Sequence, residues 1–131
     1  MVRWLDRRAV LLLHDESIGM FGGASGLRDA GLLDSALGRA PNRLAYKPTT
    51  TLPELAAAYA YGLAKTRPFV DSNKRSAFMA LGLFLHVNGY ELTASQVEAI
   101  HVMLALAAGE IDEAELAHWI SLYCRPRGNA P

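Results

Sequence analysis

Apolar residues recur along the chain at helical spacing, broken by polar and glycine-rich stretches, and this pattern predicts six helices. Asp6 caps a first helix carrying Val10, Leu11, Leu13, Ile18 and Phe21, which Gly22-Gly23 ends. After a turn from Gly22 to Gly26, Asp29 caps a second helix with Leu32, Leu33, Ala36 and Leu37 that stops before Pro41, so residues 42–51 form a loop or short hairpin. Thr51 precedes Pro53 and Glu54, which puts proline in a first turn where its missing N–H is harmless. A third helix then runs to about Lys65, with Ala56-Ala57-Ala58 and Ala60 permitting close packing. A fourth spans about Ser72 to Asn88, ended by Gly89. Thr93 with Gln96 and Asp112 with Glu115 are capping boxes for helices five and six. The proline- and arginine-containing residues 125–131 are expected to fray, leaving one domain over residues 1–124.

The fourth helix carries the most information. From Ala77 to Val87 it is apolar on nearly every face, so other helices must surround it, and it is the expected axle of an all-α bundle. Its polar residues, Asp71, Ser72, Asn73, Lys74 and Arg75, crowd the first turn. A helix N-terminus already carries about half a positive charge and free N–H donors, so two cations there oppose the dipole. A bound phosphate chain resolves the conflict, because backbone donors, Lys74 and Arg75 converge on its oxygens from one side. Ser72 and Asn73 belong to the same phosphate-binding set. With a nucleotide's phosphates bound, Asp71 is placed to hold Mg²⁺ between its carboxylate and phosphate oxygens. Phe69 and Val70 are expected to point inward and anchor the loop, leaving positions 67 and 71 accessible. The competing reading is a capped, solvated helix start whose Lys74 and Arg75 pair with nearby acids. No Gly-x-x-x-x-Gly-Lys-Ser/Thr pattern occurs, which excludes an ordinary P-loop.

Composition narrows the field. The 131 residues are 51% hydrophobic and 20% charged, the profile of one globular domain, and no apolar run is long enough to span a membrane. Thirteen basic and thirteen acidic residues cancel, so no global field draws the chain to nucleic acid and any anion site is local. An acid within the first six residues is unlike a signal peptide, and the lone Cys124 excludes an internal disulfide; both predict a cytoplasmic protein. His14, His86, His101 and His118 lie singly, without metal-ligand spacing, and His14-Asp15 is expected to serve the fold. The stretch Gly22 to Gly26 follows a helix rather than a strand, so it reads as a turn and not a dinucleotide cradle.

Arg67-Pro68-Phe69-Val70-Asp71-Ser72-Asn73-Lys74-Arg75 resembles the Doc (death-on-curing) signature of the Fic/Doc superfamily, His-x-Phe-x-Asp-x-Asn-Lys-Arg. Further similarity lies in His14-Asp15, in Gly22-Gly23, in Gly26-Leu27-Arg28-Asp29, in Asn88-Gly89-Tyr90 and in Ala107-Ala108-Gly109-Glu110. The resemblance implies a compact Fic/Doc-type bundle of about six helices around a central buried helix. It also implies a toxin of a type II toxin–antitoxin pair: a protein kinase that moves the γ-phosphate of ATP to a threonine of elongation factor Tu and so stops translation. In that case Asp71 binds Mg²⁺, Asn73, Lys74 and Arg75 hold phosphates, and Phe69 anchors the loop. A separate antitoxin is implied, its C-terminal segment folding onto the toxin groove, and residues 39–47 fall where Fic-like proteins place a target-aligning flap. Relatives that transfer AMP carry Gly-Asn-Gly-Arg and a second arginine, where this chain has Lys74 and Phe78. Arg67 occupies the position of the general-base histidine, and a guanidinium has no free lone pair near neutrality. The chain is therefore expected to be nearly inactive; an AMP transferase and a non-catalytic binding module are the alternatives.

Overall fold

The computed structural model describes residues 1–128, and within them six helices and one two-stranded ribbon are present. Helices α1 (Arg7–Phe21), α2 (Ala30–Tyr46), α3 (Leu52–Thr66) and α4 (Asn73–Val87) are followed by β1 (Tyr90–Leu92), α5 (Gln96–Ala107), α6 (Glu113–Tyr123) and β2 (Cys124–Pro126). The all-α expectation holds, and several helix ends obey local capping rules. Asp6 accepts from Arg8 N, Asp29 from Leu32 N, and both Thr51–Glu54 and Asp112–Glu115 close full capping boxes.

The central helix is α3, not α4. Nine of its fifteen residues are buried, against six of fifteen in α4, and it packs against α2, α4, α5 and α6. Alanine explains the difference: the run Ala56 to Ala60, broken only by Tyr59, lets neighbours approach the α3 backbone on every side, and Gly62 lies against Ala36 and Arg39 of α2. Helix α4 buries Ala77, Ala80, Leu81, Phe84 and Leu85 on its inner side, while Phe78 and Met79 are only half-buried beside α5.

Four other local expectations are corrected. Helix α2 continues through Pro41 to Tyr46, because its buried stripe Leu33, Ala36, Ala40 and half-buried Leu44 carries on past the proline. Burial there, with Arg43 reaching Glu113 of α6 at 2.8 Å, outweighs the roughly 3 kcal/mol that an interior proline costs. Residues 39–46 are consequently helical, which replaces the loop or short hairpin expected from residue 42 onward. The N-cap of α5 is Ser95, accepting from Glu98 N at 3.2 Å, while Thr93 donates from both N and Oγ1 to the Tyr123 carbonyl. The frayed tail is also overturned in part: Arg125 and Pro126 lie in β2, antiparallel to β1 with Tyr90 opposite Pro126, and Arg127 N donates to Gly89 O. The remainder of that expectation, residues 129–131, lies outside the described residues.

Candidate functional site

Residues 67–72 connect α3 to α4, and this connection is held from three directions. From beneath, Phe69 is 1% exposed and stacks on the His14 ring of α1 with centroids 3.8 Å apart and planes 9° from parallel. His14 Nδ1 in turn meets Ser76 Oγ of α4 at 2.9 Å. From the side, residues 26–29 pair with the loop: Val70 N donates to Gly26 O, and Arg28 N and Asp29 N both donate to Pro68 O. The Arg28 guanidinium closes the end of α3 by donating to the carbonyls of Thr66 and Arg67. From above, the Asn73 side chain closes on Phe69 at both ends, Oδ1 accepting from Phe69 N at 2.9 Å and Nδ2 donating to Phe69 O at 3.0 Å.

Two non-glycine residues with left-handed backbone bracket the loop, Arg67 at φ 52° and Ser72 at φ 64°. Such conformations are uncommon outside glycine and concentrate where the surrounding structure imposes them. Ser72 is the N-cap of α4, yet its side chain does not cap the helix, so the first-turn N–H groups face outward without an intrahelical partner. They open on a recess of about 410 Å³ bordered by Arg67, Asp71, Ser72, Lys74 and Arg75, with Ala64 and Ala107 as walls.

The expected site residues are therefore gathered at one place, but not all in the expected roles. Phe69 is the buried anchor, whereas Val70 is 53% exposed and does not point inward, because its N–H is engaged by Gly26 and its side chain faces the recess. The Asn73 side chain clamps the loop backbone through its carbonyl oxygen and one amide N–H, which leaves the second amide N–H as a donor. Arg75 donates to Gly22 O at 2.9 Å and to Ser72 Oγ, and its guanidinium lies 5.4 Å from the Phe21 ring centroid. Lys74 and Arg67 are exposed at the rim. Among the described residues neither Lys74 nor Arg75 pairs with an acid, which removes the ion-pair explanation for their position.

The Asp71 carboxylate accepts from Ala24 N at 3.2 Å and from Ser72 N at 2.7 Å, and these backbone donors hold its pKa below the usual carboxylate range. The His14 pKa is lowered, chiefly by burial and further by Arg75, against the opposing pull of Asp15 and Asp71. Sequence reasoning singled out neither Ala24 nor Ser76. The signal for a buried polar contact was present in α1, where Val10, His14 and Ser17 follow one another at i, i+4 and i+7 and all are buried.

Among the described residues no group of three or more His, Cys, Asp or Glu side chains is arranged to hold a metal, and no helix is long and apolar enough to cross a membrane. The sequence profile of the Fic/DOC family matches residues 4–85, a span that runs through α1, α2 and α3 and nearly all of α4, including the whole recess loop. The chain belongs to the Fic/DOC family. Its similarity extends beyond that span to curated Doc proteins: "Protein kinase doc" of Escherichia phage P1 is 34% identical over 116 residues, covering 88% of this chain and 91% of the relative. "Toxin Doc" of Mycolicibacterium smegmatis is 41% identical over 97 residues, covering 72% of this chain and 71% of the relative. Within the Fic/DOC family the chain thus sits with Doc-type members.

Proposed function

We propose that the chain is the toxin of a type II toxin–antitoxin pair and is built as a Doc-type kinase, taking the γ-phosphate of ATP to a threonine of elongation factor Tu and so blocking translation. The observation that carries this reading is the recess at the start of α4, where outward N–H donors, Lys74 and Arg75 meet without an acidic partner, beside one ionised carboxylate. The curated relative named a protein kinase supports it.

Phosphate oxygens enter against the N–H groups of the first turn of α4, with Lys74 as a mobile point charge and Arg75 as a fixed fork on Phe21. The residues present suit Mg²⁺, which favours one or two carboxylates together with phosphate oxygens and water over an all-protein cage; among the described residues Asp71 is the one carboxylate on the recess, and it is held ionised. When bound there, Mg²⁺ supplies neutralisation of charge on the phosphate oxygens. In transfer, the threonine oxygen forms a bond to the γ-phosphorus, the bond from that phosphorus to the bridging oxygen of ADP breaks, and the hydroxyl proton must leave. Position 67 lies on the rim where that proton would be taken, and Arg67 cannot take it. The chain as it stands therefore binds nucleotide and transfers very slowly. This same residue favours the second reading, a module that holds nucleotide or antitoxin without catalysis.

AMP transfer receives less support. Phe78 stands where AMP-transferring relatives carry a second arginine, and it lines an apolar groove with Phe21, Ile100 and Met103. An antitoxin, provided as a separate chain whose C-terminal segment orders on this surface, and a cytoplasmic location complete the proposal.

Arg67→His tests it. With ATP, Mg²⁺ and elongation factor Tu, the exchange is expected to raise transfer by about 10²- to 10⁴-fold, and the target should gain the mass of one phosphate rather than AMP. ATP binding without any transfer in Arg67→His would reject the kinase and leave the binding module.

A further inference from the structure

Asp71 is an exposed carboxylate on a short side chain, free to rotate unless something holds it. Its two oxygens are held from opposite sides by main-chain N–H groups, Oδ1 by Ser72 of its own loop and Oδ2 by Ala24 of the turn between α1 and α2. A carboxylate oxygen has about two lone pairs, so one on each remains free to face the recess.

The turn delivers the Ala24 N–H because it passes very close to the signature loop. Gly22 N donates to Ile18 O at 2.8 Å as α1 ends, and Gly22 O takes the Arg75 guanidinium. Gly23 then follows at φ +117°, where a Cβ would lie 2.9 Å from Asp71 Oδ2, 3.1 Å from Ile18 Cδ1 and 3.2 Å from Ser72 Oγ. The nearest of these atoms is the end of a movable side chain, so a methyl group at position 23 is accommodated most cheaply by pushing the Asp71 carboxylate aside. Beyond the backbone strain that any side chain meets at this φ, the cost falls on the carboxylate's direction.

We infer that the main chain of Gly23 and Ala24 aims Asp71 at a divalent cation, and that position 23 must lack a side chain for that cation site to form. The inference rests on the proposed reading of Asp71 as the cation's protein ligand. Gly23 and Ala24 are positioning residues, since neither is placed to touch the nucleotide.

Calorimetry of ATP binding with and without Mg²⁺ separates this role from general loosening of the turn. In the wild-type protein Mg²⁺ is expected to strengthen ATP binding. Gly23→Ala should cut that enhancement by about 10- to 100-fold, the usual effect of losing a contact that orients a metal ligand, while leaving Mg²⁺-free ATP affinity unchanged. Gly26→Ala is the control: it sits in the same turn at φ +116°, but its Cβ meets only Val70 Cγ2 at 3.6 Å, so backbone strain is matched and the enhancement should survive. Should Gly23→Ala misfold, Ala24→Pro deletes the donor outright and must lose the enhancement too, and adding either change to Asp71→Ala must cause no further loss. An undiminished Mg²⁺ effect in Gly23→Ala or in Ala24→Pro overturns the inference. If Mg²⁺ has no effect even on the wild type, the cation role of Asp71 falls and this role with it; if the wild type binds no ATP, the proposed function itself fails.

Discussion

His14 is the side chain on which the loop's underside depends, and its protonation state matters more than its position in the sequence suggests. It is 1% exposed, stacked on Phe69 and bonded to Ser76, while its Nε2 is buried without a protein partner among the described residues. Burial makes the charged ring unfavourable, so the folded-state pKa lies below the ordinary imidazole value that the unfolded chain approaches. The sign of the linkage follows. Above pH about 6.5 both states hold a neutral ring and the full stability is present; on acidification the unfolded chain takes a proton that the native state resists, so stability falls as the pH drops toward the lowered folded pKa. Urea midpoints measured from pH 7.5 to 5 should decline in the wild type and decline less steeply in His14→Gln. Equal slopes would mean that His14 does not report on the fold. Asp71 stands opposite: it is exposed and held ionised by two backbone donors.

Between elements, α2 and α3 make one of the closest contacts of the bundle. Gly62 in α3 faces Ala36 of α2, and a Cβ there would lie 3.1 Å from Ala36 Cα and 2.8 Å from Arg39 Cδ. Helix propensity favours Gly62→Ala by about 1 kcal/mol, but the Ala36 backbone cannot retreat as a side chain can, so overpacking should prevail with a net loss of about 1–2 kcal/mol. Chemical denaturation checks the sign directly. The same closeness holds Arg39 and Arg43 on Glu113 of α6 and carries α2 through Pro41, so the proline is tolerated because packing has already decided the helix.

Across the whole molecule, the recess and the closure of the bundle sit at opposite ends of α4. Its N-terminus opens on the recess, while beyond its C-terminus the β1–β2 ribbon, the Arg127 N to Gly89 O bond and the paired bonds between Asn88 and Arg3 tie both chain ends to the bundle. Deleting the chain after Tyr123 removes β2 and is expected to cost about 1–3 kcal/mol while leaving ATP affinity unchanged. A thermal melt alongside nucleotide titration tests both halves. Loss of ATP binding on truncation would show that the two ends are coupled.

What the sequence by itself determined was local. Asp6, Asp29, Thr51 and Asp112 announce helix starts because a cap is satisfied within three residues, and Lys74 and Arg75 single out the start of α4 because their charges oppose the dipole in the same turn. Tertiary structure decided the rest, because the deciding partners lie far along the chain. Thr93 gave up a cap for the carbonyl of Tyr123, Ser95 took its place, and the supposed tail found β1. Helix α3 became the axle because its small side chains admit neighbours on all sides, which periodicity alone does not rank. At the site, only the fold could bring Ala24 to Asp71 across 47 positions of sequence. The residue types marked out the loop, and contacts between distant segments set which of its atoms remain free.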